Sequence, residues 1–77
     1  MHELALMEDL VETVRQAVRH ARVHVVRLVV GREACASPHA LRFCFDLCTL
    51  GTALEGASLE IIETAGDDLR LAELEVT

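Results

Sequence analysis

The hydrophobic and polar positions of the first third of the chain follow the period of an amphipathic helix. Across residues 4–22, apolar side chains recur every three or four positions, at Leu4, Met7, Leu10, Val11, Val14, Ala17, Val18 and Ala21. Acidic residues come first on the opposite face and arginines last, the order that suits the helix dipole. The pattern predicts a first helix, with His2 and Glu3 just ahead of its first turn.

The pattern changes at residue 23. Residues 23–30 form an apolar, mostly β-branched run interrupted only by His24 and Arg27, which is typical of a strand. Apolar groups fall on both faces of this strand, so both faces are expected to be at least partly covered. Gly31 ends the run.

A second helix is predicted from its capping residues. Ser37 supplies an N-cap and Pro38 suits the first helical position. An apolar stripe continues this helix to about Leu50; it consists of Leu41, Cys44, Phe45 and Cys48. Gly51 is the expected C-cap residue, because glycine adopts the left-handed conformation at no steric cost.

Two more strands are predicted at residues 59–63 and 69–76, joined by a tight turn of the hairpin type at residues 64–68. The apolar alternation of the last strand changes phase near Ala72-Glu73, which predicts a β-bulge. The span 31–57 is long enough for a right-handed crossover between parallel strands. The sequence therefore predicts one domain over residues 1–77, an α+β (α/β) fold. Two helices pack on a three-stranded mixed sheet, in the order α-β-α-β-β.

Composition narrows the classes of function. The 77 residues carry a net charge of −6, which argues against a nucleic-acid partner, and no apolar run approaches a membrane span. Three cysteines, an odd number without a Cys-x-x-Cys pair or a secretory leader, indicate free thiols and a cytoplasmic location. There is no glycine-rich phosphate loop and no nucleophile–base arrangement, so we expect no enzyme. The arginines of residues 15–32 form either a partner surface or a solvated helix face.

The candidate chemistry lies in Met1-His2-Glu3. A free terminal amine, the His2 amide and the His2 imidazole are close enough along the chain to wrap one metal ion, and the Glu3 amide can supply a fourth nitrogen. Four nitrogens in a plane suit Cu(II) or Ni(II) and suit Zn(II) poorly. The site requires that Met1 be retained, which the large His2 favours. The alternative is an accidental Met-His start, with Glu3 serving only as a helix-start carboxylate.

Other potential ligands are weaker candidates. His20 and His24 flank the first corner of the chain and are expected to be exposed without a function. His39 stands in the first turn of the second helix and could approach the N-terminus in the fold. Cys44 and Cys48 have a spacing that can bind a soft metal, but their stripe favours burial as small apolar residues.

Several stretches, taken in order, resemble one family. They are Met1-His2-Glu3-Leu4, Val29-Val30-Gly31, residues 37–46, Gly51-Thr52, residues 55–61, residues 66–71 and residues 73–76. In order and spacing, over nearly the whole chain, they resemble the HypA/HybF family of nickel-incorporation chaperones. The resemblance implies Ni(II) bound through Met1, His2 and Glu3. It also implies a HypB-like GTPase and the hydrogenase large subunit as partners, a role in urease maturation in some organisms, and a monomer or weak homodimer.

One departure from the family is large. The family carries a zinc module with two Cys-x-x-Cys pairs between the last two strands, where this chain has only residues 64–68. Cys35, Cys44 and Cys48 do not match those ligands, so no zinc is expected. The chain therefore resembles the nickel-binding domain alone. The alternative is a metal-independent interaction module, a reduced paralog or engineered deletion without full chaperone activity. It would dock through residues 15–32 or an exposed strand edge.

Overall fold

Five elements follow one another in a computed structural model that describes residues 2–77. They are α1 (His2–Val18), β1 (Val23–Gly31), α2 (Pro38–Thr49), β2 (Ser58–Thr64) and β3 (Leu69–Val76). Two helices and a three-stranded mixed sheet confirm the predicted fold class and element order.

The first helix is shifted toward the N-terminus relative to the prediction. It begins at His2, so the expectation that His2 and Glu3 precede the first turn is wrong. It ends at Val18 rather than at residue 22, because Arg19 takes a left-handed φ of 46°. The Arg19 N–H donates to the carbonyl of Arg15 at 3.1 Å, and this contact closes the last turn. Residues 20–22 are thereby free to turn the chain into β1.

The second helix has the N-cap that its sequence predicts, whereas its C-cap residue is Leu50 and not Gly51. The Ser37 side chain accepts a hydrogen bond from the Ala40 N–H at 3.3 Å, and Pro38 occupies the first helical position. The helix ends at Thr49, one residue before the predicted end, and Gly51 is left-handed with φ of 76°. The Cys44 side chain is buried and that of Cys48 is half-buried, as the stripe indicates.

The strand order is β2-β1-β3, with β1 parallel to β2 and antiparallel to β3. The parallel pair confirms the predicted crossover through α2. The predicted bulge is also present, since Arg27 pairs with Glu73 while Leu28 pairs with Leu71, leaving Ala72 unpaired. The predicted hairpin is wrong, because β2 and β3 lie on opposite sides of β1 and do not pair with each other.

The connection between β2 and β3 instead crosses the C-terminal end of β1. Three backbone hydrogen bonds hold it there: Gly31 N–H to Asp68 O at 2.6 Å, Arg32 N–H to Thr64 O at 2.9 Å and Glu33 N–H to Gly66 O at 2.7 Å. A Cβ atom on Gly31 would overlap the Gly66 carbonyl group, so only glycine permits this close crossing. The physical reason for the topology is that β1 is apolar on both faces and belongs in the centre of the sheet.

Both helices pack on one face of the sheet. Val26, Leu28 and Val30 of β1 point into that core and meet buried side chains of α1 and α2. Those partners are Met7, Val11, Val14, Leu41, Cys44 and Phe45. None of the helices within residues 2–77 is long and apolar enough to cross a membrane.

The other face of the sheet is held together by Arg27. Its guanidinium contacts Glu60 of β2 at 2.8 Å, and Glu73 and Glu75 of β3 at 3.1 and 2.6 Å. These hydrogen bonds, that of Glu75 above all, raise the pKa of Arg27. One central arginine therefore joins both edge strands across the face that carries no helix.

Candidate metal centre

His2 is the first residue of α1, and its side chain is exposed. Met1 lies outside the described residues, so its part in the candidate site remains a prediction. The first four N–H groups of any helix lack an acceptor within the helix, and here these include the amides of His2 and Glu3. The two amide nitrogens that the predicted chelate requires are thus not committed to the α1 hydrogen-bond ladder.

Glu3 ties this end of α1 to the start of α2. Its carboxylate accepts a hydrogen bond from the Ser37 N–H at 3.3 Å, across 34 residues of sequence. The pKa of Glu3 is lowered, first by a hydrogen bond from its own backbone amide and then by that from Ser37. Glu3 is therefore an ionised tether, as well as a negative charge at the positive end of α1.

The electrostatics at the start of α1 favour metal binding with the His2 and Glu3 amides deprotonated. The positive end of a helix dipole repels a cation, so a bare dication is disfavoured at this position. Binding through two deprotonated amides adds two negative charges and neutralises a divalent ion. Cu(II) and Ni(II) take such planar nitrogen sets, so the terminus suits these ions in that state.

The remaining histidines are not part of a metal-binding cluster within residues 2–77. His20, His24 and His39 are exposed, and the His24 Nε2 atom hydrogen-bonds the Thr77 hydroxyl at 2.8 Å. No three His, Cys, Asp or Glu side chains of residues 2–77 are close enough together to hold a metal ion. His39 follows Ser37 by two residues, which places it on the same turn of chain as the Glu3 tether. His39 is therefore connected to the N-terminus only through its closeness to Ser37 along the chain.

The cysteines also differ in their surroundings. Cys35 is exposed in the loop before α2, whereas Cys44 belongs to the core and Cys48 lies half-buried beside α1. All three are free thiols. A structural zinc site needs four ligands, and the described residues do not gather even three.

Sequence reasoning missed the contact between Glu3 and Ser37. The sequence predicts Glu3 as a helix-start carboxylate or a residue near the ion, and Ser37 only as an N-cap. Their hydrogen bond joins the two helix N-termini, and no local pattern signals a pairing over 34 residues. The signal in the sequence is that Glu3 and Ser37 each lie at the start of a helix. Helix N-termini attract carboxylates, so a contact between the Glu3 carboxylate and the start of α2 is favourable.

The fold and the terminus together define a class, a small α+β domain whose candidate site is built from its own first residues. The chain belongs to the HypA family. The sequence profile described as "Hydrogenase/urease nickel incorporation, metallochaperone, hypA" matches residues 1–76. That description is of a metallochaperone and not of an enzyme, which confirms the expectation that the chain is not an enzyme.

Curated relatives agree with this assignment. The chain is similar to hydrogenase maturation factor HypA of Nostoc punctiforme, with 46% identity over 66 residues, covering 86% of this chain and 58% of the relative. The HypA of Crocosphaera subtropica is 47% identical with the same coverage. The chain thus spans somewhat more than half the length of these relatives.

A third relative is matched from end to end. HypA of Methylocella silvestris is 38% identical over 112 aligned positions, covering 99% of both chains. Because this chain has 77 residues, at least 35 of those positions have no counterpart in it. The two proteins therefore match along their whole length while the relative carries additional residues.

Proposed function

We propose that the chain is a nickel metallochaperone domain that binds Ni(II) at its N-terminus for hydrogenase maturation, and for urease maturation in some organisms. The ligands are the Met1 amine, the amide and imidazole of His2, and the Glu3 amide. The family description supports the metal and the pathway. The partners are a HypB-like GTPase and the hydrogenase large subunit, and the place of action is the cytoplasm, where the three free thiols stay reduced.

The start of α1 at His2 is the observation that carries this proposal. It leaves the His2 and Glu3 amides outside the backbone hydrogen-bond ladder of the helix, exposes the imidazole, and anchors the next side chain to α2 through Ser37. A chelating terminus held in this way loses less conformational freedom on binding than a free tail does. Nickel bound here also remains open to solvent, as transfer to a partner requires.

We further propose that the domain works without the zinc module of the family. Only residues 65–68 separate β2 from β3, and at least 35 aligned positions of the Methylocella relative are missing from this chain. We assign them to the β2–β3 connection, and this assignment is supported by the family profile, whose match to residues 1–76 includes both flanking strands. Zinc-linked control and the partner contacts of that module would then be absent.

Nickel titration of untagged protein with a verified Met1 amine tests the binding site. We expect one Ni(II) per chain with a d–d absorbance band typical of planar nitrogen coordination, and an affinity that rises with pH because ligand protons are displaced. His2→Ala, or one glycine added before Met1, should reduce the affinity by at least about a hundredfold, the scale of losing a ligand or its support.

His39→Ala and His20→Ala are the matched controls, because each removes an exposed imidazole that is not part of the chelate. Both should bind nickel as the parent protein does. An unchanged affinity in His2→Ala would rule out the N-terminal site. A loss in His39→Ala equal to that in His2→Ala would replace the all-terminal ligand set with one that includes His39.

A metal-independent interaction module is the second candidate function. The observation that favours it is the outer face of α2, where Phe43, Leu47 and Leu50 are 63%, 50% and 62% exposed. Exposed apolar groups of this size often mark a protein interface. Unchanged binding of a partner by the metal-free His2→Ala protein would support this function over nickel delivery.

A further inference from the structure

Two arginines at the end of α1 have no part in the proposed metal site. The arginines of residues 15–32 separate in the fold: Arg27 is held by glutamates on the open face of the sheet, whereas Arg15 and Arg19 lie at the C-terminal end of α1. His2 stands at the other end of this helix, about 25 Å away at 1.5 Å per residue. A function of these two arginines is therefore separate from nickel binding.

Arg15 and Arg19 line a depression at the C-terminal end of the groove between α1 and α2. Val18 lies between them on the α1 wall, and residues 51–53, just after α2, form the opposite wall. The depression has a volume of about 570 Å³ and is open to solvent. This volume lies in the range of pockets that take small molecules. We call it the arginine depression.

The depression carries an excess of positive charge in an acidic chain. Two arginines and one glutamate, Glu12, line it, whereas the whole chain has a net charge of −6. Both carboxylate oxygens of Glu12 are engaged, one by Arg15 at 3.0 Å and the other by Gln16 at 3.1 Å. Arg19 contacts no carboxylate within residues 2–77. Because Arg15 and Arg19 are like charges one helical turn apart, an anion between them relieves their repulsion.

The backbone around the depression also suits an anion. The negative end of a helix disfavours anions, but here carbonyl groups of both helix ends already accept hydrogen bonds. The Arg15 carbonyl accepts from the Arg19 N–H at 3.1 Å, and the Thr49 carbonyl accepts from the N–H and hydroxyl of Thr52 at 3.0 and 2.7 Å. The Ala53 N–H, by contrast, has no hydrogen-bond partner within residues 2–77. It is an unused donor on the wall opposite the arginines.

Arg19 occupies a backbone position that favours a different residue. Its φ of 46° is left-handed, and at the end of a helix this conformation is usually adopted by glycine. A cation does complement the helix dipole, but Arg15 in the last turn provides that charge without the strain. Strained residues cluster at functional sites. The position therefore indicates a use for the Arg19 side chain beyond the stability of α1.

We propose that the arginine depression binds a small organic phosphate monoester. Guanidinium groups match the geometry of phosphate oxygens, and two of them favour a doubly charged phosphate over a singly charged carboxylate. Arg15 and Arg19 hold the phosphate. Inorganic phosphate alone would leave most of the depression empty, so the organic group lies against the half-buried apolar side chains of Val18 and Ala53.

Chemical-shift mapping by NMR of the metal-free 77-residue chain tests the proposal, with adenosine 5′-monophosphate as the probe at constant ionic strength. We expect saturable shifts of the amides of residues 51–53 and of the Arg15 and Arg19 Nε–H groups. The dissociation constant should be about 1 mM, the scale of two charge-assisted hydrogen bonds. Adenosine should cause no saturable shift, and inorganic phosphate should bind more weakly. Equal affinities for inorganic phosphate and the nucleotide would overturn the assignment of a monoester.

Arg19→Gly separates binding from stability. It should weaken nucleotide binding by about tenfold, the scale of one hydrogen bond to a charged group, while the urea midpoint is unchanged or raised, because glycine relieves the left-handed strain. Arg19→Lys keeps the charge and should lose less affinity. Arg42→Gln is the control, because it removes one exposed arginine of α2 that does not line the depression. It should bind the nucleotide as the parent does.

Two results would overturn the proposal. One is the absence of saturable shifts at nucleotide concentrations well above the expected constant. The other is an affinity in folded Arg19→Gly or Arg15→Gln equal to that of the parent. Either would leave Arg19 as a charge that serves only the dipole of α1. Nickel affinity should be the same in all of these variants, so failure of this proposal is distinguishable from failure of the N-terminal site.

Discussion

At the scale of single residues, burial gives the three cysteines different chemistry. Cys48 lies in the groove between the helices, and its pKa is raised above the usual 9.0 by burial first, with smaller contributions from Glu8 and Cys44. Cys35 is exposed in its loop. The fold therefore holds Cys48 as a neutral thiol, which packs as a small apolar residue beside Val11.

This difference predicts a loss of stability in alkaline solution. Because the pKa of Cys48 is higher in the folded than in the unfolded chain, its contribution is complete below pH 9 and declines as pH rises above 9. The chain has no lysine and no tyrosine, so neither of those residue types contributes to the pH dependence in this window. We expect the urea midpoint to fall above about pH 9, and this fall to be smaller in Cys48→Ala. Cys35→Ala is the control, and an equal reduction in that variant would contradict the assignment to Cys48.

At the scale of the elements, local residue patterns predicted what is locally determined. The N-cap of α2 at Ser37, the left-handed glycine at Gly51 and the bulge at Ala72 follow from backbone preferences of a few adjacent residues, and each is present. The end of α1 did not follow, because Ala21 continues the apolar period past the turn at Arg19. Periodicity locates the buried face of a helix better than it locates the last residue.

The order of the strands was beyond the reach of local patterns. Gly66, Asp67 and Asp68 are turn-forming residues whether a chain joins two paired strands or crosses a third. What decides the topology is the apolar character of β1 on both faces, which favours the centre of the sheet. The candidate site likewise has one part that the local sequence predicts and one part that it does not. His2 was found from covalent geometry, whereas the tether from Glu3 to Ser37 depends on the packing of two helices.

The crossing of β1 predicts a large effect of a small substitution. Gly31→Ala places a methyl group against the backbone of Gly66 and Asp68, which cannot move without breaking the hydrogen bonds of the crossing. We expect a loss of about 1–3 kcal/mol in the free energy of unfolding, the usual cost of overpacking. Denaturant unfolding monitored by circular dichroism measures it.

Gly66→Ala provides the comparison for that prediction. Gly66 has a φ of 92° and open space around its Cβ position, so its substitution costs only the left-handed conformation, about 1 kcal/mol. If Gly66→Ala proves the more damaging of the two, conformation rather than close approach governs the crossing. The steric explanation for Gly31 would then be wrong.

At the scale of the whole molecule, the architecture contains one connection at which a longer chain can be accommodated. β2 and β3 are the two edges of the sheet, and residues 65–68 join them outside the helix layer. The core of Val26, Leu28 and Val30 with both helices does not involve that connection. Additional residues at this point therefore leave the packed layers intact.

Insertion of a flexible Gly/Ser linker of about 35 residues between Gly66 and Asp67 tests this view of the molecule. Closing a loop of about 40 residues instead of four costs about 2 kcal/mol in chain entropy, and the crossing hydrogen bonds add to that loss. We expect a folded protein with a lower unfolding midpoint and an unchanged nickel affinity, because the terminus and the Glu3–Ser37 tether lie elsewhere. The same linker placed between Val29 and Val30 interrupts the central strand and should prevent folding. Equal unfolding by both insertions would show that the short crossing is essential to the fold, and that the longer relatives must accommodate their extra residues somewhere other than between β2 and β3.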